Sequence, residues 1–220
     1  MVIHKSATIK HALKAQADGV DFIEIAGMES SIAGRSSDDD ITIWVLATLA
    51  VSKLTTPVIV SGSSATGRQL AAAIALGAQG ITMGTRFLAT MESPVHSNVK
   101  AHLAKPETDE FSTTLVLRSF NNATRVLKND VTREILRLEA EMAKQGGGDF
   151  KLIAPLASGQ RSKAMFHETG DWNDAMWSCG MSVGLIDDVP TCAALVARVE
   201  AEAEAQLLKG GSAVVRHSRI

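Results

Sequence analysis

Tyrosine is absent from the 220 residues, and three Trp and six Phe are the only large aromatic side chains. So few rings exclude a base-stacking platform, and 22 basic against 24 acidic residues, well mixed, exclude a basic nucleic-acid face. No apolar run approaches the roughly 18 residues that a membrane span needs. The first residues, Met1-Val2-Ile3-His4-Lys5, lack the layout of a secretory leader. Cys179 and Cys192 are too few for a disulfide framework and lack metal-ligand spacing, which points to a reducing compartment. The expectation is a soluble, cytoplasmic protein with no nucleic-acid or membrane partner.

What is present is a rhythm of short apolar runs and small-residue turns. Val20–Ala26 and Pro57–Ser61 read as strands, and Gln79–Met83 reads as another that ends in Gly84-Thr85. Ile9, Ala12, Leu13 and Ala17 mark a helix over 7–17, and Gly67–Leu76 marks another. Ile41–Ser52 is apolar nearly all round, so a well-buried helix is expected, with Asp38-Asp39-Asp40 as its N-terminal cap. Gly27–Asp40 between strand and helix is a long polar loop of the kind that carries function. Alternating strands and helices imply parallel α/β construction. Four strands can be counted, beginning near Ile3, Phe22, Val58 and Ile81, where a closed (β/α) barrel needs eight.

Beyond Gly84 the pattern turns helical. Arg86–Ala104 reads as a helix broken at Pro94, Val131–Lys144 as a surface helix stopped by Gly146-Gly147-Gly148, and Trp172–Met181 and Thr191–Leu208 as helices. Thr113–Arg118 reads as a short strand, and the residues from Lys209 on have no packing pattern. The organisation expected is residues 1–105 as a half barrel, 106–171 as a mostly helical extension, 172–208 as a segment returning to the barrel, and 209–220 as a disordered tail.

The chemistry concentrates at two strand ends. Ser61-Gly62-Ser63 and Gly84-Thr85 end neighbouring parallel strands in small residues whose backbone N–H groups can cradle a phosphate. The plain alternative is turn chemistry with no ligand. His96 and His102 do not share a helix face suited to one metal, and Cys192 reads as a small hydrophobe rather than a nucleophile.

Three segments together resemble one family. They are Val2-Ile3-His4-Lys5; Gly27-Met28-Glu29 through Ala33-Gly34 to Asp40-Ile41; and Ser61-Gly62 through Gly84-Thr85-Arg86-Phe87-Leu88. The likeness continues through Asn121-Asn122-Ala123-Thr124-Arg125 and Gly184-Leu185-Ile186-Asp187-Asp188. The chain resembles the nitronate monooxygenases and the similar FMN-dependent NAD(P)H:quinone reductases, which share an FMN-binding TIM barrel. The resemblance implies an α/β fold that is the C-terminal half of such a barrel. It also implies FMN as cofactor and oxidation of an alkyl nitronate, with O2 reoxidising the flavin. By the same likeness Lys5 contacts the flavin, Gly34 lies over it, and Ser61, Gly62, Ser63, Gly84 and Thr85 hold its phosphate.

Three departures from the family pattern matter. Arg35 stands where the family has a His after Ala-Gly, and a guanidinium cannot act as a general base. It can still attract an anionic nitronate or a pyrophosphate. Ser63 replaces a Gly, so that a Cβ stands beside the phosphate if the backbone needs a positive φ. Met181 replaces an amide-bearing Gln. Family chains also carry four further strands ahead of Val2, so the expected partner is a missing N-terminal half or a second copy, beside a small-molecule substrate. Three readings stay open: nitronate oxidation, NAD(P)H:quinone reduction, and a catalytically inactive half barrel.

Overall fold

A computed structural model describes residues 1–31 and 40–217; Ala33, Gly34, Arg35, Asp38 and Asp39 lie outside the described residues. The first half is β1 (Ile3–Ser6), α1 (Ile9–Ala17), β2 (Phe22–Ala26), α2 (Ile43–Lys53), β3 (Val58–Ser61), α3 (Gly67–Ala75) and β4 (Gly80–Thr82). All four strands run parallel in the order β1-β2-β3-β4. The fold is therefore α/β, with a four-stranded parallel sheet as its frame.

The two faces of the sheet differ sharply. Ile23, Ile25, Val58 and Val60 point to one side and pack with Ala12 of α1, Leu46, Ala47 and Ala50 of α2, and Ala73 of α3. Alternation along each strand sends the intervening residues the other way. Lys5, Glu24, Ile59 and Gly80 form one row across that second face by register. They are exposed or half-exposed. β1 and β4 each pair on one side only among the described residues.

α2 corrects one expectation. Only its Leu46–Ala47–Ala50 side is buried, while Trp44 is 64% and Val45 51% exposed. Its apolar circumference meets a sheet on one side and no packed layer on the other. At its N-terminus the carboxylate of Glu29 accepts from the Ile43 N–H at 3.1 and 3.0 Å. Of the acidic run, only Asp40 is among the described residues, and it pairs with Arg118 at 2.9 Å.

The second half comprises α4 (Thr85–Leu88), α5 (Ser97–Leu103), β5 (Thr113–Val116), β6 (Thr124–Leu127), α6 (Asp130–Lys144), α7 (Gly159–Ala164) and α8 (Cys192–His217). β5 lies where a short strand was expected, and it pairs with β6, which was not expected, in an antiparallel hairpin within the otherwise mostly helical extension. Its loop carries Leu117 at φ +61° and is held by the buried carboxylate of Glu139. That group accepts from Leu117 N–H at 2.8 Å, Ser119 N–H at 3.1 Å and Ser119 Oγ at 2.5 Å.

Trp172–Met181 is not a helix. Asp171 accepts from the Asn173 N–H at 3.1 Å, and the Leu127 N–H donates to the Trp177 carbonyl at 3.2 Å. Local turn bonds from short polar side chains displace the helical ones, and Ser178 bridges Val126 at the hairpin edge. α8 opens on Thr191, whose Oγ1 accepts from Ala194 N–H at 3.1 Å. It continues past Lys209 to His217, where a frayed tail was expected.

His102 lies flat on Trp172, with ring centroids 3.6 Å apart and planes 7° from parallel. Burial first, then Lys105, push its pKa down to about 4, against the pull of Glu107. The unfolded chain binds this proton from pH 6.5 downward, and the folded one only near pH 4. Stability therefore falls as pH drops through that window, by ~2–3 kcal/mol after allowance for screening at its open side. Urea titrations between pH 4 and 7 check this. His102→Phe, which keeps the stack, is expected to flatten that slope, and an unchanged slope would assign the effect elsewhere.

Candidate functional site

β3 delivers the buried Ser61 into a turn of Gly62 at φ +117° and Ser63 at φ +64°. Two successive residues on the positive side of φ turn the chain sharply, a backbone shape suited to gathering amide N–H groups around an anion. A left-handed non-glycine residue costs of order 1 kcal/mol or more and persists only where its surroundings hold it. Three bonds do so here. Ser63 Oγ donates to the Glu29 carbonyl at 2.5 Å, Gln69 Nε2 donates to the Ser63 carbonyl at 2.8 Å, and Gln69 Oε1 accepts from the Ala65 N–H at 2.7 Å. Gln69 stands three residues after Thr66 and closes a capping box at the start of α3.

The second wall is Gly84 and Thr85, just after β4. A Cβ built on Gly84 meets nothing within 4 Å, so the end of β4 borders open space. Thr85 Oγ1 accepts from the Gly180 N–H at 3.0 Å, and the Met181 N–H donates to the Glu29 carbonyl at 3.1 Å. Around Gly180, Ser63 Oγ, the Glu29 carbonyl and Thr85 Oγ1 converge: a Cβ there would lie 3.0, 3.4 and 3.5 Å from them. The side chain of Met181 offers no amide, yet its backbone N–H ties this segment to the corner. Below it, burial pushes the Cys179 thiol up to about 12, which keeps it protonated.

Ser61, Gly62, Ser63, Gly84 and Thr85 are thus brought together at two neighbouring strand ends. Gly34 and Arg35 lie outside the described residues. Lys5 is on the second face of the sheet, paired with Glu24 at 2.9 Å. The α3 N-terminus is met by the chain itself, since Glu202 of α8 accepts from the Gly67 N–H at 2.9 Å. The dipole of α3 is therefore committed, and amides of the turn are left as the anion donors. The cradle has room for a phosphate: Ser63 turns its hydroxyl to Glu29, and open space lies beside Gly84.

The sequence reading gave no role to Glu29, Glu24, Gln69, Gly180 or Arg125. Gln69 had a local signal, the Thr66-x-x-Gln69 spacing. Arg125 lies in a segment that carries the family likeness, but no spacing signals its contact: its Nε reaches the Met28 carbonyl at 2.9 Å from 97 residues away. Among the described residues no cluster of His, Cys, Asp or Glu could hold a metal, and no helix is long and apolar enough to cross a membrane.

Residues 1–202 match the family model described as nitronate monooxygenase. A protein of Rhodococcus jostii (strain RHA1), named (3aS,4S,5R,7aS)-5-hydroxy-7a-methyl-1-oxo-octahydro-1H-indene-4-carboxyl-CoA dehydrogenase, is 28% identical over 92% of this chain and 64% of its own. FabK from Thermotoga maritima superposes with a TM-score of 0.83 at 29% identity, covering 96% of this chain and 63% of that one. Nitroalkane oxidase from Streptomyces ansochromogenes gives 0.71 at 26% identity, covering 93% and 57%. The chain spans less than two thirds of each of these relatives.

Proposed function

This chain belongs to the nitronate monooxygenase family, matched over residues 1–202, and from that premise we propose that it is the FMN-phosphate part of a TIM-barrel oxidoreductase acting on alkyl nitronates. The observation that carries the reading is the turn at Gly62 and Ser63, both at positive φ, facing the open side of Gly84 across the β3–β4 pair. Backbone N–H groups of Ser61, Gly62, Ser63, Gly84 and Thr85 bind the phosphate. Lys5, fixed by Glu24, presents its ammonium as a hydrogen-bond donor on the sheet face that the ring approaches. FMN, when bound, supplies electron acceptance from the substrate and return of those electrons to O2. The chain's own part is to bind, orient and supply charge.

Arg35 serves this chemistry as a permanent cation: it draws an anion and takes no proton. A nitronate is already deprotonated, so no base is required of the chain. The relative named as a carboxyl-CoA dehydrogenase, 28% identical over 92% of this chain, favours a second reading in which the same cation meets the pyrophosphate of a CoA or NAD(P)H substrate. Anaerobic flavin reduction by NADH separates hydride transfer from nitronate oxidation.

The binding test uses the purified chain. FMN is expected to bind at about one per chain with flavin absorbance near ~450 nm, and riboflavin, which lacks the phosphate, at least about tenfold more weakly. A chain that takes neither, or both equally, has no phosphate site at this corner.

A further inference from the structure

We propose that Arg125 is a positioning residue of the phosphate corner, acting on the turn after β3 through the backbone of Met28 and Glu29; this rests on the FMN reading above. Arg125 stands on β6, and its side chain is buried at 6% exposure. Nε donates to the Met28 carbonyl at 2.9 Å, and a second guanidinium nitrogen donates to Thr113 Oγ1 across the hairpin at 3.1 Å. Charge-assisted bonds from a planar fork hold both direction and distance.

Met28 lies within a closed turn. Ser30 N–H donates to the Gly27 carbonyl at 3.1 Å, and Met28 N–H to the Ile41 carbonyl at 2.8 Å. Peptide planes within such a turn do not rotate independently, so a guanidinium fixed at the Met28 carbonyl also sets the aim of the Glu29 carbonyl. That second carbonyl accepts the Ser63 hydroxyl at 2.5 Å. This is one of the three bonds that hold Ser63 in its left-handed backbone.

The main chain of Arg125 braces the other flank. Its carbonyl accepts from the Cys179 N–H at 3.4 Å, next to Gly180, whose own N–H holds Thr85 Oγ1. One residue of the hairpin therefore reaches both walls of the cradle. The β5–β6 hairpin is part of the site's support, not an appendage to it.

The test measures FMN and riboflavin dissociation constants, by quenching of flavin fluorescence, for wild type, Arg125→Met, Arg125→Lys and Ser63→Ala, with thermal unfolding alongside. Arg125→Met is expected to weaken FMN about tenfold and to leave riboflavin within about twofold, because only the phosphate contacts are displaced. Ser63→Ala should do the same, and the double variant should lose no more than either single one, since both break one chain of contacts. Arg125→Lys keeps charge and bulk and should fall between wild type and Arg125→Met. Equal FMN affinity in Arg125→Met and wild type, or equal loss of FMN and riboflavin, overturns the proposal. The second outcome assigns Arg125 a purely structural role. A wild-type chain that does not prefer FMN to riboflavin removes the phosphate-site premise itself, and the inference with it. Should Arg125→Met fail to fold, Arg125→Lys and Ser63→Ala carry the comparison.

Discussion

Gly27→Ala is expected to destabilise the chain by about 3 kcal/mol, lowering its melting temperature by roughly 6–12 °C. A Cβ at this position would overlap the backbone nitrogen of Ile43 and a carboxylate oxygen of Glu29, and it would lie 2.7 Å from Ile43 Cα. The Glu29 side chain could swing away, but the Ile43 backbone is the first turn of α2. If α2 shifts, it leaves the Glu29 carboxylate that caps it, and a lost cap adds about 1 kcal/mol. The same step disturbs the phosphate corner, because Gly62 sits close against Gly27: a Cβ on Gly62 would come 3.1 Å from the Gly27 nitrogen. Differential scanning calorimetry is the direct measurement. A variant that melts with wild type would mean that α2 has room to move which these contacts deny it.

The second large effect is at Asp188. Arg86 is 2% exposed, and Asp188 holds it through Oδ1 at 2.6 Å and through its carbonyl at 3.1 Å. Arg198 grips the same carboxylate at 2.8 and 3.1 Å. Asp188→Ala leaves a buried guanidinium without its counter-charge, the costly half of breaking a buried pair. Since the Asp188 side chain is 41% exposed, solvent screens part of that cost, and a loss of ~2–3 kcal/mol is expected. Asp188→Asn, which keeps the shape, should lose nearly as much. Urea unfolding at neutral pH measures both.

The pH dependence of this pair follows from its shifts. The hydrogen bond from Arg198 holds the Asp188 carboxyl below its ordinary range, against burial and with help from Arg86. The stabilisation is thus complete above the ordinary carboxylate range and fades as pH falls through the depressed value. The gap between wild type and Asp188→Ala should narrow in strong acid. A gap that widens there would contradict the assignment.

The order of strands and helices through β4 was legible because short apolar stretches, unbroken in Val58-Ile59-Val60 and interrupted only by Glu24 in β2, are closed by small turn residues. The same turns exposed Ser61–Ser63 and Gly84-Thr85 as a candidate cradle. β6 was not legible. All four of its residues are buried, Arg125 among them, so the chain there shows neither alternation nor an apolar run. Trp172–Met181 misled in the other direction: it reads as a helix, while Asp171 accepts from the Asn173 N–H and turns the backbone locally. The exposed side of α2 carries Trp44 and Val45, residues whose character alone argues burial. What supports the cradle was hidden for a different reason. Glu29, Arg125 and Glu202 act through side-chain bonds to distant backbone, and such bonds leave no spacing along the chain.

Glu202 meets the Gly67 N–H across 135 positions of sequence. A Cβ on Gly67 would overlap the Val199 carbonyl and the Glu202 side chain, so α3 and α8 close on each other without slack. Asp188 reaches Arg86 across 102 positions. Closing loops of such length carries an entropy cost that these contacts must offset. Although its turn lies in the first third of the chain, the support of the cradle therefore depends on residues from the last. During synthesis it stays unfinished until α8 has been made.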